Sequence, residues 1–172
     1  MNIVVRKADV KDAPIISYLG RLTFSETFGH LFRDPQDLKD YLLRTFSVEK
    51  LQRSFQNSNN AFWLAFADEV PVGFGKLKLD QIEDEISQKR SSQLQKIYVL
   101  KDYLSMKIGL KTQEEMIKTA KDFGSELIWL SVLRENERAI NFYLKNGFSK
   151  TGNHDFRIGK ELFHFNIMTK DL

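Results

Sequence analysis

Apolar residues recur along this chain with two different periods, and each change of period marks a new element. Ile3-Val4-Val5-Arg6-Lys7 is a short β-branched run that reads as an edge strand. Beyond it Asp9 or Asp12 offers an N-cap, and Ile15, Ile16, Leu19 and Leu22 fall at helical spacing. Asp34-Pro35 starts a second helix, cap and first-turn proline together, with Leu38, Tyr41, Leu42 and Phe46 as its apolar stripe. Ser47 caps a short helix through Phe55, and the polar cluster 56–60 closes it. Strand patterning follows. Ala61–Ala67 and Val70–Leu79 flank Asp68-Glu69 as a hairpin, and Gly73 and Gly75 predict a bulge or a close backbone approach in its second arm. The charged stretch 80–92 reads as a loop and Gln93–Leu100 as a strand. Lys107–Phe123 reads as a helix with Ile108, Met116, Ile117 and Ala120 inward, closed by Gly124. Leu127–Val132 is apolar almost throughout, which predicts a strand in mid-sheet. Asn136 caps a helix over 137–146 that Gly147 stops, and strands 148–156 and 161–169 pair across Ile158-Gly159. This order predicts a mixed α/β sheet with helices on both faces, in one domain over residues 1–172.

Composition narrows the class. With 172 residues, 42% of them hydrophobic and 28% charged, the chain can bury a core without staples, which excludes a disordered or collagen-like protein. It has no Cys, so disulfides, thiolate metal sites and a cysteine nucleophile are excluded; His30, His154 and His164 are too scattered for a zinc site. The apolar run Ala61–Ala67 is far below the roughly 20 residues a membrane span needs, and Met1–Arg6 lacks a charged-then-apolar leader pattern. A cytoplasmic chain without a membrane partner is therefore expected. Lys plus Arg exceed Asp plus Glu by only 26 to 23, with no block of five like charges, so a mixed-charge surface is expected rather than a nucleic-acid-binding arm.

Two junctions carry the candidate chemistry. From Ile97 to Gly109 a strand runs through a short loop into a helix N-terminus, where unpaired backbone N–H groups and the positive dipole end can hold a phosphate or pyrophosphate. Gly109 permits close approach, and Lys107 and Lys111 add charge. Taken alone, a plain strand–helix connection has the same pattern. The second junction, Asn136 to Phe148, puts Asn136, Ala139, Ile140, Tyr143 and Gly147 along one helix face. A tyrosine there is equally what a core position holds.

Together these segments resemble the GNAT superfamily of N-acetyltransferases: the first its acetyl-CoA pyrophosphate loop, the second its closing motif of Asn, Ala and a Tyr before Gly-Phe. Thr23–Phe28, Ile97-Tyr98-Val99, Ile128-Trp129-Leu130, Asn136–Ile140 and Gly147-Phe148 extend the likeness over nearly the whole chain, towards a bacterial polyamine-acetylating branch. The resemblance implies a GNAT fold with a mostly antiparallel sheet, acetyl-CoA as co-substrate and no metal. It implies that the backbone of Ile97, Tyr98 and Val99 carries the pantetheine arm like an added strand, and that Leu104, Ser105, Met106, Lys107, Ile108 and Gly109 hold the pyrophosphate. It further implies that Asn136 contacts the cofactor arm, that Lys145 reaches the 3′-phosphate and that Tyr143 protonates the departing thiolate.

Three departures from that pattern matter. Leu104 stands where Arg or Gln is usual. Lys107 replaces the first Gly, which fits if its backbone is right-handed helical. Gln93 and Gln95 are expected to share a strand face with Ile97 and Val99, where relatives often carry a Glu as base, and an amide cannot take the ammonium proton. For an amine acceptor the candidate carboxylates are Glu26, Asp34 and Asp37 near the first helices, and Asp80, Glu83, Asp84 and Glu85 beyond the third strand. The expected activity is direct acetyl transfer to a primary amine, a polyamine first, in a ternary complex, by a monomer or homodimer. A peptide, amino acid or aminoglycoside acceptor, and a non-catalytic acyl-CoA-binding regulatory module, are the alternatives.

Overall fold

The computed structural model describes residues 1–83 and 86–172. Strand β1 (Ile3–Lys7) lies at one edge of the sheet, and Arg6 on it clamps Asp12 through two 2.8 Å hydrogen bonds. Asp9 caps the turn between them, and Asp12 closes the capping box by accepting from the Asp9 N–H as well as from Arg6. Helices α1 (Ala13–Phe28), α2 (Pro35–Thr45) and α3 (Val48–Phe55) follow, the last two capped by Asp34 and Ser47 as expected. Strands β2 (Asn60–Ala67) and β3 (Val70–Lys78) form the expected hairpin, with Asp68 and Glu69 both at positive φ, as a tight two-residue turn requires. Then come β4 (Ser91–Val99), α4 (Ile108–Phe123), β5 (Leu127–Leu133), α5 (Glu137–Lys145), β6 (Ser149–Ile158) and β7 (Glu161–Asp171). The last turn falls at Gly159-Lys160, one residue later than expected, because Gly159 takes the positive φ of 57°.

Among the described residues, seven strands join one sheet in the order β1-β2-β3-β4-β5-β7-β6, antiparallel except for β4 with β5. The apolar strand β5 is indeed interior. One face packs against α4 and α5, with Trp63, Leu77, Leu94, Met116, Ile128, Leu130 and Tyr143 buried together. The other packs against α1, α2 and α3 through Ile16, Phe24, Phe46, Phe62, Phe74 and Phe163. Gly75 lets α4 lie close: a Cβ there would stand 2.7 Å from Thr112 and 2.8 Å from Met116. Among the described residues, no helix is long and apolar enough to cross a membrane.

Candidate active site

The parallel seam opens almost as soon as it forms. β4 and β5 pair only at Ser91–Leu127, Ser92–Ile128 and Gln93–Trp129, after which the strands part. From Gln95 onward β4 therefore has a free backbone edge. Leu100 N–H donates to Val72 in β3, so by alternation the N–H and C=O of Val99 and Ile97 face the opening. At the mouth, Ser105 and Lys107 both adopt left-handed backbone (φ 72° and 60°), and α4 starts immediately after them. Left-handed residues set among ordinary ones curl successive N–H groups into a concave nest, here added to the unpaired first-turn donors of a 16-residue helix. Arg138 of α5 donates to Ser105 Oγ at 3.0 Å and ties the loop to the far side of the cleft. A Cβ on Gly109 would point to Ile97 and Phe142, 3.7 and 3.8 Å away, so the missing side chain leaves the space between β4 and α5 open.

Tyr143 lines the same opening from α5. It is 7% exposed, packs edge-on to Phe142 and Phe148, and its hydroxyl has no hydrogen-bond partner among the described residues. Burial raises its pKa, so the phenol keeps its proton. On the opposite face of β4, burial raises the Tyr98 pKa too, reinforced by the charges Tyr41 and Tyr143 would carry if ionised.

Residues 25–148 match the acetyltransferase (GNAT) family. The chain belongs to that family. This GNAT chain is 29% identical over 167 residues to a spermidine N(1)-acetyltransferase of Thermoplasma acidophilum, covering 94% of the chain and 98% of the relative. It is 26% identical over 160 residues to an uncharacterized N-acetyltransferase of Lactobacillus delbrueckii subsp. lactis, covering 93% and 92%. The crystal structure of the PaiA N-acetyltransferase from T. acidophilum in complex with coenzyme A superposes over the full length of both chains, with TM-score 0.80 and 27% identity. The protein is a GNAT N-acetyltransferase.

The GNAT fold sets the free edge of Ile97 and Val99 beside the loop 104–109 at the start of α4, with α5, capped by Asn136 and carrying Tyr143, tied to that loop through Arg138. Asn136 spends its Oδ1 on capping α5 through the Ala139 N–H, which leaves its amide NH2 as the free group. Two expectations are corrected. Lys107 is left-handed rather than right-handed helical, because it caps α4 instead of belonging to it. Gln93 does not share a face with Ile97 and Val99: a bulge makes Gln95 an unpaired extra residue, so Leu94 pairs with Leu77 and Lys96 with Lys76, and the alternation inverts. Arg138, which the sequence reading did not single out, is the α5 cation that touches the loop, and Lys145 lies about 10 Å further along the helix. Among the described residues, the candidate acceptor carboxylates fall into separate groups. Glu26 accepts from the Lys101 N–H beyond the end of β4, whereas Asp80 and Glu83 precede its start, roughly 30 Å of strand away. Asp34 and Asp37 are engaged by Lys160, and Asp84 and Glu85 lie outside the described residues.

The face covered by α1–α3 carries different chemistry. Lys76 and Lys96 stand directly opposite each other there, half-buried, their ammonium groups over the rings of Phe62, Phe46 and Tyr98. Lys78 follows on β3 and Lys50 approaches on α3, and none of the four has a carboxylate partner among the described residues. Burial, aided by the neighbouring lysines, lowers Lys76 to about 7 and Lys96 to about 8. Sequence periodicity gave no sign of this cluster, since the pairing of Lys76 with Lys96 is set by the register of β3 on β4.

Proposed function

We propose that this chain, as one domain, transfers an acetyl group from acetyl-CoA to a small primary amine, with a spermidine-like polyamine as the acceptor. The opened β4–β5 seam carries the reading: a free strand edge leads from a helix N-terminus to a protonated phenol. Acetyl-CoA supplies the activated acyl group as a thioester. The backbone of Ile97 and Val99 offers it strand-like hydrogen bonds, and the N–H groups of 104–109 with Lys107 offer the diphosphate charge and donors. Tyr143 holds the proton that the departing sulfur needs. The polyamine reading is supported by the name of the T. acidophilum relative and by the exposed Asp80 and Glu83.

The unpartnered lysines favour a second acceptor class, an amine that also carries a carboxylate or phosphate. Thiol release from acetyl-CoA, measured against spermidine, spermine, a monoamine, amino acids, an acidic peptide and an aminoglycoside, decides between them. Two or three exposed contacts of up to about 1 kcal/mol each should favour spermidine over the monoamine roughly 10- to 100-fold at low salt, fading as salt rises. A preference for the anionic amines selects the second class. Coenzyme A binding without thiol release for any amine makes the chain an acyl-CoA-binding module.

A further inference from the structure

The amides Gln93 and Gln95 cannot take the ammonium proton, but β5 and β6 supply a group that can. Ser131 lies two residues beyond Trp129, the last residue of β5 paired with β4, and shares its face; its hydroxyl stands where the seam has just opened. His154 reaches across β7 to it, Nε2 2.8 Å from Ser131 Oγ. The imidazole is held flat on Phe165, centroids 5.2 Å apart and planes 9° from parallel. We infer that Ser131 and His154 form the proton relay of the acceptor side, on the sheet face opposite Tyr143.

The inference rests on the acetyltransfer reading. With Nε2 unprotonated, the Ser131 O–H donates to it, and the Ser131 oxygen is free to accept from the substrate ammonium. One proton passes from the ammonium to Ser131 as the hydroxyl proton passes to Nε2, and exposed His154 releases it to solvent. The freed amine then forms the C–N bond as the C–S bond breaks. The sulfur takes the phenol proton of Tyr143, and the second proton lost by nitrogen restores that phenol by way of solvent.

The charged groups around His154 do not compete for this role. Asp155 and His164 pair with each other at 2.7 Å on the other face, where Arg157 also points. From α2 and the β6–β7 turn, Asp34 and Asp37 are bound to Lys160, and Glu161 to Arg33. Across the seam, Lys96 keeps its ammonium over Phe46 and Tyr98.

Two arms test the relay. In kinetics, His154→Gln should lower kcat/KM at pH 7 by about 10- to 1000-fold, with the gap to wild type narrowing as pH rises towards 10, where a growing share of the amine is already free, and unchanged coenzyme A affinity by calorimetry. Ser131→Ala should follow the same profile. An equal loss at every pH marks a structural role, and no loss at pH 7 removes the pair from the reaction; either overturns the inference. The second arm needs no turnover: ¹⁵N NMR of the full-length protein should show His154 as the Nδ1–H tautomer, switching in Ser131→Ala. An Nε2–H tautomer in wild type overturns the relay even if acetylation is confirmed. A wild type that releases no thiol defeats the acetyltransfer reading and the relay with it.

Discussion

At the scale of single residues, the chemistry turns on which groups keep or lose protons when buried. Tyr143 sits in apolar surroundings that favour its neutral form. Tyr143→Phe preserves the ring packing against Phe142 and Phe148 and removes only the donor. Turnover should fall about 10²–10⁴-fold while coenzyme A affinity measured by calorimetry stays within a factor of two or so. Wild-type turnover in a folded variant would reduce Tyr143 to a core residue. The lysines behave oppositely. An unfolded Lys holds its proton to about pH 10.4, whereas Lys76 and Lys96 hold theirs only to about 7 and about 8. Between those limits the unfolded chain binds more protons, so stability rises with pH through that window, and the penalty is fully present below about 7. Lys76→Met should therefore raise stability by roughly 1–3 kcal/mol at pH 6–7, with the gain disappearing towards pH 10.5, as followed by thermal melts across that range. A gain that does not depend on pH would mean that packing rather than charge is responsible.

At the scale of elements, the loop into α4 stores strain where the phosphate donors are gathered. A left-handed lysine costs about 1 kcal/mol relative to glycine, and Lys107 occupies that conformation as the helix cap. Lys107→Gly should raise the melting temperature by about 2–4 °C, while Lys107→Ala, equally strained, should not. Both lack the ammonium, so both should weaken coenzyme A binding by the same factor, about 3- to 10-fold by calorimetry. Unequal losses would mean that loop shape, not the Lys107 charge, is what the diphosphate meets. This loop also shows where sequence reading stops. Caps, the Asp68-Glu69 turn and the Tyr143 face were legible because each is decided within one turn or a few residues of its own element. The handedness of Lys107 was not, since a glycine usually announces it and none is present there. The bulge at Gln95 is a mismatch between β4 and β3, and strand β4 alone carries no trace of it; one displaced residue was enough to move Gln93 to the face opposite Ile97 and Val99. Likewise Ser131 and His154 are 23 residues apart and meet only across β7.

At the scale of the whole molecule, the sheet is two arms held by a short parallel joint. Beyond the three β4–β5 pairs, the joint has the buried Ser92–Ser125 hydroxyl contact at 2.7 Å and the Trp129 indole N–H donating to Gln81 at 3.0 Å. On one side of the opening stand β4 and the α4 loop; on the other stand β5 and α5, joined to the first by Arg138 at Ser105. A ligand lying in the opening touches both arms, and the unfolded chain has no such site to offer. Its binding free energy therefore adds to stability: at 100 times its dissociation constant, coenzyme A should contribute about 2.7 kcal/mol, a rise of roughly 5–10 °C for a chain of this size. Hydrogen exchange should locate the effect. The amides of Ile97 and Val99 and those of residues 105–109, which lack strand or helix partners on the open side, should gain protection first, ahead of β1 and the β6–β7 turn. Thermal stabilisation without protection at 97–99 and 105–109 would place the ligand elsewhere, and protection there without stabilisation would mean that the unfolded chain binds it equally well.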